Sequence, residues 1–315
     1  MSEPFTIMTP GRVCLLGDNT DLIEKPTLAA AISAYLTITI RKNQGTVVSI
    51  KASDIGVTEH FPLHGALTFD TPLRYVKAVY KRLENFVDAG LEVEIHSQIP
   101  ISAGLSSSTA LCIAFIQALN TAFRIGLSTP EVAELAFAVE SADLGVECGR
   151  LDQYAIAYGG VTYIETGSPT RVERLETKSL PIVVADTQEK HNTQELQVWL
   201  RNRIRSGERL LLDSLGRVVE LVLAGKQAVS RGDMETLGRL MNDQQKEELL
   251  MGTSTERLEL FCRSARDAGA LGAKQMGAGG GGCVIALCPP GREPQIKAAF
   301  DGLGAPSWAF QIVGA

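Results

Sequence analysis

Residues 104–123 carry no charge at all. An uncharged stretch of that length either crosses a bilayer as a helix or lies inside a protein with apolar neighbours on every side. Its polar content decides between these, because Ser106, Ser107, Ser108, Thr109, Gln117, Asn120 and Thr121 are distributed along it. Each hydroxyl or amide would be costly in hydrocarbon. The pattern therefore predicts a buried helix of a non-membrane protein, starting near Ser108. A helix of that kind needs a thick core around it. The chain of 315 residues, 45% hydrophobic and 21% charged, is long enough for about two domains.

Charge and cysteine usage narrow the class further. The net charge is −6, with Lys and Arg scattered, so the basic stripe expected of a nucleic-acid binder is missing and no nucleic-acid partner is expected. The six cysteines (Cys14, Cys112, Cys148, Cys262, Cys283 and Cys288) include no CxxC pair and mostly sit in apolar runs. Buried reduced thiols are expected. Glu3 and Pro4 open the chain without a basic segment and apolar run behind it, so no secretory leader, no membrane partner and a cytoplasmic location are expected. The four histidines, His60, His64, His96 and His191, show no metal-ligand spacing and receive no role.

Strand-like and helical patterns alternate through the first half. Residues 6–16, 34–41, 46–51 and 91–96 read as strands, the last alternating as Leu-Glu-Val-Glu-Ile-His. Val76, Val79, Tyr80, Leu83 and Val87 put a helical face on residues 72–87. Another helix is predicted over 130–144, and strands over 161–165 and 181–186. The second half is mostly helical from 193 to 250, with Leu211, Leu215, Val218, Val219 and Val222 on one face. Thr253 and Glu256 have capping-box spacing for a further helix ending at Gly269. A strand at 283–287, a helix over 293–303 and a strand at 308–313 complete an α+β pattern in two domains. The boundary is expected within 167–180, giving domains 1–175 and 176–315.

Four segments carry chemistry. In Pro100-Ile-Ser-Ala-Gly-Leu-Ser-Ser-Ser-Thr-Ala110 a strand meets the uncharged helix. A helix start offers unpaired N–H groups to an anion, and Gly104 lets backbone approach closely. Three serines after a glycine point to phosphate rather than to a simple helix cap. The second segment, Gly277-Ala-Gly-Gly-Gly-Gly-Cys283, matches GxGxxG in spacing. It reads as following a helix and entering a strand, the reverse of the dinucleotide order, and so excludes a Rossmann oxidoreductase. Close backbone approach to a ligand or to the first phosphate loop is expected of it. The third, Pro10-Gly-Arg-Val-Cys-Leu-Leu-Gly-Asp-Asn-Thr-Asp21, ends a strand in a loop bearing Arg12, Asp18 and Asp21. The fourth comprises Glu140, Cys148-Gly-Arg-Leu-Asp-Gln153 and Ala157-Tyr-Gly-Gly160.

In this order the segments resemble the GHMP kinases, the galacto-, homoserine, mevalonate and phosphomevalonate kinase superfamily. Arg12 with Asp21 is similar to the first family motif, residues 100–110 to the second and 274–283 to the third. The resemblance implies a ribosomal protein S5 domain 2-like N-terminal domain, a ferredoxin-like C-terminal domain and an active site between them. It implies ATP phosphates on Gly104, Leu105, Ser106, Ser107 and Ser108, closed over by Gly277, Ala278 and Gly279, and Mg²⁺ held by Ser108 and Glu140. Asp152 matches the aspartate that faces the acceptor hydroxyl, flanked by Arg12.

The acceptor is where the resemblance divides. Sugar kinases carry Glu-His-x-Asp where this chain has Asp18-Asn19-Thr20-Asp21, and Asp18, Asn19, Asp21, Gly160 and Tyr158 are assigned to acceptor binding. Asp152-Gln153 also resembles the sugar branch. Lys25-Pro-Thr-Leu-Ala-Ala-Ala-Ile32 and Gly269-Ala-Leu-Gly-Ala-Lys-Gln-Met-Gly-Ala278 resemble mevalonate kinases. A carboxylate acceptor beside Asp21 would be repelled. The expectation is a galactokinase-like sugar kinase, acting at the anomeric position in carbohydrate metabolism as a monomer or homodimer. Mevalonate kinase is the alternative, and a non-catalytic sugar or ATP sensor stands behind both.

Overall fold

The computed structural model describes residues 3–101, 103–178, 180–190 and 192–313. Ser102 of the serine-rich segment and His191 lie outside them. The first half runs β1 (Phe5–Leu16), β2 (Thr27–Asn43), β3 (Val47–Ala52), β4 (Val57–Pro62), α1 (Arg74–Leu83), β5 (Gly90–Ser97), α2 (Ser107–Phe123), α3 (Thr129–Ala138), α4 (Leu151–Tyr158), β6 (Val161–Glu165) and β7 (Arg171–Leu175). The second half continues with β8 (Leu180–Asp186), α5 (Thr193–Arg205), α6 (Arg209–Arg231), α7 (Met234–Met251), α8 (Glu256–Asp267), β9 (Gly272–Gln275), β10 (Cys283–Leu287), α9 (Glu293–Asp301) and β11 (Ser307–Ile312).

β2 organises the sheet. Along one edge it pairs antiparallel with β1, from Leu28↔Leu16 to Ile40↔Phe5. Along the other it passes from β6 (Thr27↔Ile164) to β11 (Ile32↔Ile312) and then to β5 (Leu36↔Ser97 through Asn43↔Gly90). β11 pairs in turn with β8, so the strands of the two halves join in one sheet. In the second half the order β11-β8-β10-β9, with α5–α8 after β8 and α9 after β10, is the ferredoxin-like βαββαβ arrangement.

The uncharged helix is α2. Ten of its residues are buried, among them Ile113, Phe115, Ile116 and Leu119, and it packs on β1, β2, α1, α3 and α4. Burial on all sides explains why it carries no charge. Asn120 is satisfied locally, accepting from the Gly126 and Leu127 N–H groups at 2.9 Å. Among the described residues no helix is long and apolar enough to cross a membrane. All six cysteines are free, and all but Cys148 are buried.

Three expectations change. β4 and β7 are strands that residue patterning did not single out, both at the polar margin of the sheet. α8 is capped by Thr255, whose hydroxyl accepts the Leu258 N–H at 3.2 Å. Thr253 instead turns its hydroxyl to the carbonyl of Glu248 at 2.9 Å and to its carboxylate at 2.6 Å. The glycine run follows β9, not a helix, and forms the turn between antiparallel β9 and β10. The Rossmann order is still excluded, because a strand follows the run.

A buried ion pair ties the turn to the loop after β1. Lys274 of β9 is fully buried, with its ammonium on the Asp18 carboxylate and on the Gln275 carbonyl at 2.7 Å. Asp18 also accepts from Gln244 Nε2 at 3.0 Å and from the Gly277 N–H at 2.6 Å. Burial pushes the Lys274 pKa down, but the Asp18 charge outweighs it and leaves the ammonium above its ordinary value. Removing one partner strands the other charge, so Lys274→Met is expected to cost about 3–5 kcal/mol in urea unfolding. Adding Asp18→Asn to that variant should return part of the loss, and no recovery would contradict a stranded-charge origin.

Candidate active site

The junction between β5 and α2 is built to leave donors free. Gly104 and Ser106 both take left-handed conformations, at φ 64° and 57°, which for serine costs energy that the surroundings must offset. Ser106 occupies the N-cap position of α2 yet makes no side-chain cap. Its hydroxyl donates to Asp152 Oδ2 instead. The first-turn N–H groups of α2 therefore have neither an intrahelical acceptor nor a side-chain cap, and they sit at the positive end of the helix dipole. The simple-cap reading of the serines fails on this geometry.

Arg12 of β1 fixes the other side. Its Nε and Nη2 donate to the two oxygens of Asp152 at 2.6 and 2.7 Å, and its Nη1 donates to the Gly104 carbonyl at 2.6 Å. Asp152 stands in the first turn of α4. Burial pushes the Asp152 pKa up, but the charge and hydrogen bonds of Arg12, with the Ser106 hydroxyl, hold it below the usual carboxylate value. The carboxylate is ionised at neutral pH and remains half-exposed, at 31% of its side-chain surface.

Two cavities meet at this pair. The first, of about 900 Å³, lies over residues 103–108 and is closed by Phe69, Asp70, Thr71, Pro72, Arg74 and Tyr75 ahead of and within α1. The second, of about 460 Å³, is lined by Asp18, Asn19, Asp21, Cys148, Gly149, Met276, Gly277 and Ala278, among others. Arg12, Gly104 and Asp152 belong to both. Asp21 presses against Gly149, where a Cβ would stand 1.7 Å from its Oδ2. Burial, then the neighbouring Asp152 and Asp18 charges, push its pKa up to about 6.

The glycine run has a conformational cause. Gly277, Gly279, Gly280, Gly281 and Gly282 all have positive φ, between 72° and 138°, a region closed to most side chains. At Gly279 a Cβ would also meet the Thr253 carbonyl at 2.2 Å. The run's flanks reach the first loop: a Cβ on Gly104 would touch Met276 Cε at 3.6 Å and Cys283 Cβ at 4.0 Å.

Most residues singled out from sequence converge here. Arg12, Gly104, Leu105, Ser106, Ser107, Ser108 and Asp152 line the first cavity, and Asp18, Asn19, Asp21, Gly277 and Ala278 line the second. Several expectations are corrected. Gly279 lines neither cavity, because it packs on the segment containing Thr253. Tyr158 stacks on Tyr154, with ring centroids 6.0 Å apart, packs against a small core and lines neither cavity. Gly160 spends its carbonyl on the Ala31 N–H at 2.8 Å. Asp18 lines the second cavity but is already held by Lys274, Gln244 and the Gly277 N–H, so it braces the glycine turn.

Glu140 is buried, accepting from the Thr109 hydroxyl at 2.8 Å and from Gln153 Nε2, and lines neither cavity. Burial pushes its pKa up to about 7 against the effect of those hydrogen bonds. Among the described residues, no cluster of three or more His, Cys, Asp or Glu side chains is arranged for a metal.

Sequence reasoning missed residues 69–75, Lys274, Thr193 and Gln197. The 69–75 segment read only as a helix entry, although Thr71-Pro72 marks a fixed turn there. Lys274 acts on a partner 256 residues away, and Thr193 and Gln197 reach the cavity only through the fold, which local patterning cannot register.

Residues 74–160 match the GHMP kinases N terminal domain and residues 226–305 the GHMP kinases C terminal domain. The chain is 35% identical over 314 residues to a mevalonate kinase of Thermococcus sibiricus, covering 94% of this chain and 92% of the relative. It is 29% identical over 324 residues to a galactokinase of Thermococcus kodakarensis, covering 92% and 91%. The crystal structure of the Methanococcus jannaschii mevalonate kinase superposes with a TM-score of 0.85 at 21% identity, covering 99% of each chain. Two matched family domains and a relative at 35% identity over nearly the whole chain show that the chain belongs to the GHMP kinases, phosphotransferases that act on a hydroxyl group.

Proposed function

We propose that the chain moves the γ-phosphoryl group of ATP from the first cavity to the hydroxyl of a small acceptor in the second. The observation that carries this reading is that Arg12, Gly104 and Asp152 form a wall common to both cavities. Phosphoryl transfer needs alignment and charge neutralisation more than covalent chemistry. The α2 start and the serine hydroxyls receive the phosphates. Asp152, kept ionised by Arg12, orients the acceptor hydroxyl and takes its proton as the bond to phosphorus forms. Arg12 meanwhile stabilises negative charge at the transfer point.

We infer that Mg²⁺ accompanies the ATP, with Ser108 and Glu140 as the residues that would hold it. Ser108 lines the first cavity, and Glu140 next to Thr109 is a buried carboxylate with no basic side chain in ion-pair contact among the described residues. Both present hard oxygen, and the carboxylate keeps lone pairs beyond its two hydrogen bonds. Bound there, the ion would neutralise phosphate charge.

Mevalonate is the acceptor that the comparisons favour. Curated relatives at 33–35% identity carry the name mevalonate kinase, above the galactokinase at 29%, and this reverses the preference for a sugar drawn from the motifs. One observation supports a neutral sugar as a second reading. Asp21 lies in the acceptor cavity, while the nearby cations are engaged: Arg12 with Asp152, Lys274 with Asp18, and Arg201 with Glu147 at 3.2 Å. A coupled ADP assay with R-mevalonate beside a panel of hexoses, uronic acids and amino sugars tests the proposal. No turnover with any of them would contradict it.

Two further outcomes follow. Asp152→Asn should still bind ATP but lose at least about a hundredfold in kcat; near-normal turnover would remove Asp152 from the chemistry. The pH dependence separates the acceptors. Asp21 is mostly protonated below pH 6 and anionic above it. KM for mevalonate should therefore rise as pH increases through about 6, since two carboxylates then share the cavity, and Asp21→Asn should flatten that rise. KM for a neutral sugar should show no such rise.

A further inference from the structure

Two residues lining the second cavity each carry a buried polar atom with no hydrogen-bond partner among the described residues. One is Nδ2 of Asn19, a residue only 7% exposed, and the other is Oε1 of Gln197. Asn19 is rigidly placed. It takes a left-handed conformation at φ 67° and follows Asp18, which Lys274 and the Gly277 N–H clamp. Gln197 lies on α5, four residues after Thr193 and four before Arg201, so the three share one helical face. Thr193 and Gln197 line the cavity, while Arg201 donates to the Cys148 carbonyl at 3.4 Å, beside Gly149 in the cavity wall. α5 thus turns a polar stripe toward the cavity and is anchored to the core through Leu200.

A buried amide oxygen without a donor is destabilising unless something else supplies the hydrogen. An apolar side chain of similar size would avoid that cost. We propose that Gln197 is a specificity-determining residue that accepts a hydrogen bond from a second hydroxyl of the acceptor, one that is not phosphorylated. Asn19 donates to an oxygen of the same molecule. The acceptor is then recognised at two points besides the hydroxyl beside Asp152. A simple alcohol, which cannot satisfy both amide groups, is bound less well. This rests on reading the second cavity as the acceptor site, and it holds for either mevalonate or a sugar, since both carry more than one hydroxyl.

The test uses the full chain and Gln197→Met, which keeps side-chain length and removes the accepting oxygen. Calorimetric titrations with R-mevalonate and with D-galactose identify which one binds the wild-type protein. For that compound the variant should bind about three- to tenfold more weakly, with KM for ATP and the melting temperature unchanged or, for the latter, raised. Among singly deoxygenated analogues of that compound, one should bind poorly to the wild type and no worse to the variant than the parent does. Unchanged affinity in Gln197→Met, or full retention of every deoxy penalty, overturns the assignment of Gln197. A fall in melting temperature with equal losses toward ATP and acceptor would make the residue structural and overturn it as well. Failure of both probes to bind or to be phosphorylated by the wild-type protein overturns the acceptor-site reading itself, and the Gln197 assignment with it.

Discussion

One guanidinium holds the site together. Arg12 spends three nitrogens on three hydrogen bonds that join β1, the loop before α2 and the first turn of α4. These segments are separated by 92 and 140 residues of chain from Arg12. The interaction sets charge as well as position. Asp152 lies among Asp21 and Glu140, each with a pKa pushed up by burial and by its acidic surroundings. Without the arginine, Asp152 would be driven the same way and would hold a proton more tightly. The planar fork of arginine suits this double duty better than a lysine point charge would.

The second constraint is the buried Lys274–Asp18 pair. With lysine on one carboxylate oxygen and the Gly277 N–H on the other, the side chain at position 18 is committed to shaping the glycine turn. Its neighbours Asn19 and Asp21 remain in the wall of the second cavity. A polar chain extends behind the pair through Gln244, Glu248 and Thr253 to the Gly280 N–H. The turn is thereby braced from both sides, although its five positive-φ glycines would otherwise make it the loosest part of the site.

How much of this was legible in the sequence varied with the range of the interaction. The uncharged helix, the serine junction, the period-two strands and the glycine run declared themselves locally, because each is governed by neighbours a few residues away. β9 did not, since Gly-Ala-Lys-Gln holds no β-branched residue and includes a lysine buried by a partner 256 residues distant. Tyr158 looked like a pocket residue from its place beside Gly-Gly, but a stacking partner four positions earlier on α4 claims it. The acceptor was the least legible feature. A few motif residues pointed toward sugars, whereas similarity summed over the whole chain points toward mevalonate kinases. Hydroxyl recognition depends on which groups remain unpaired after folding, and that is a property of the assembled cavity.

The seam between β2 and β11 has a consequence for how the protein comes into being. Arg12 pairs in register with Ala31, one residue from the Ile32↔Ile312 contact where the second half joins the sheet. β11 is also the strand that completes β8. During synthesis the first half can collapse around α2 early, but the edges of β2 and β8 stay open until residue 312 has left the ribosome. The nascent chain must therefore wait with unpaired strand edges beside a half-formed active site, and its last strand acts as the closing stitch.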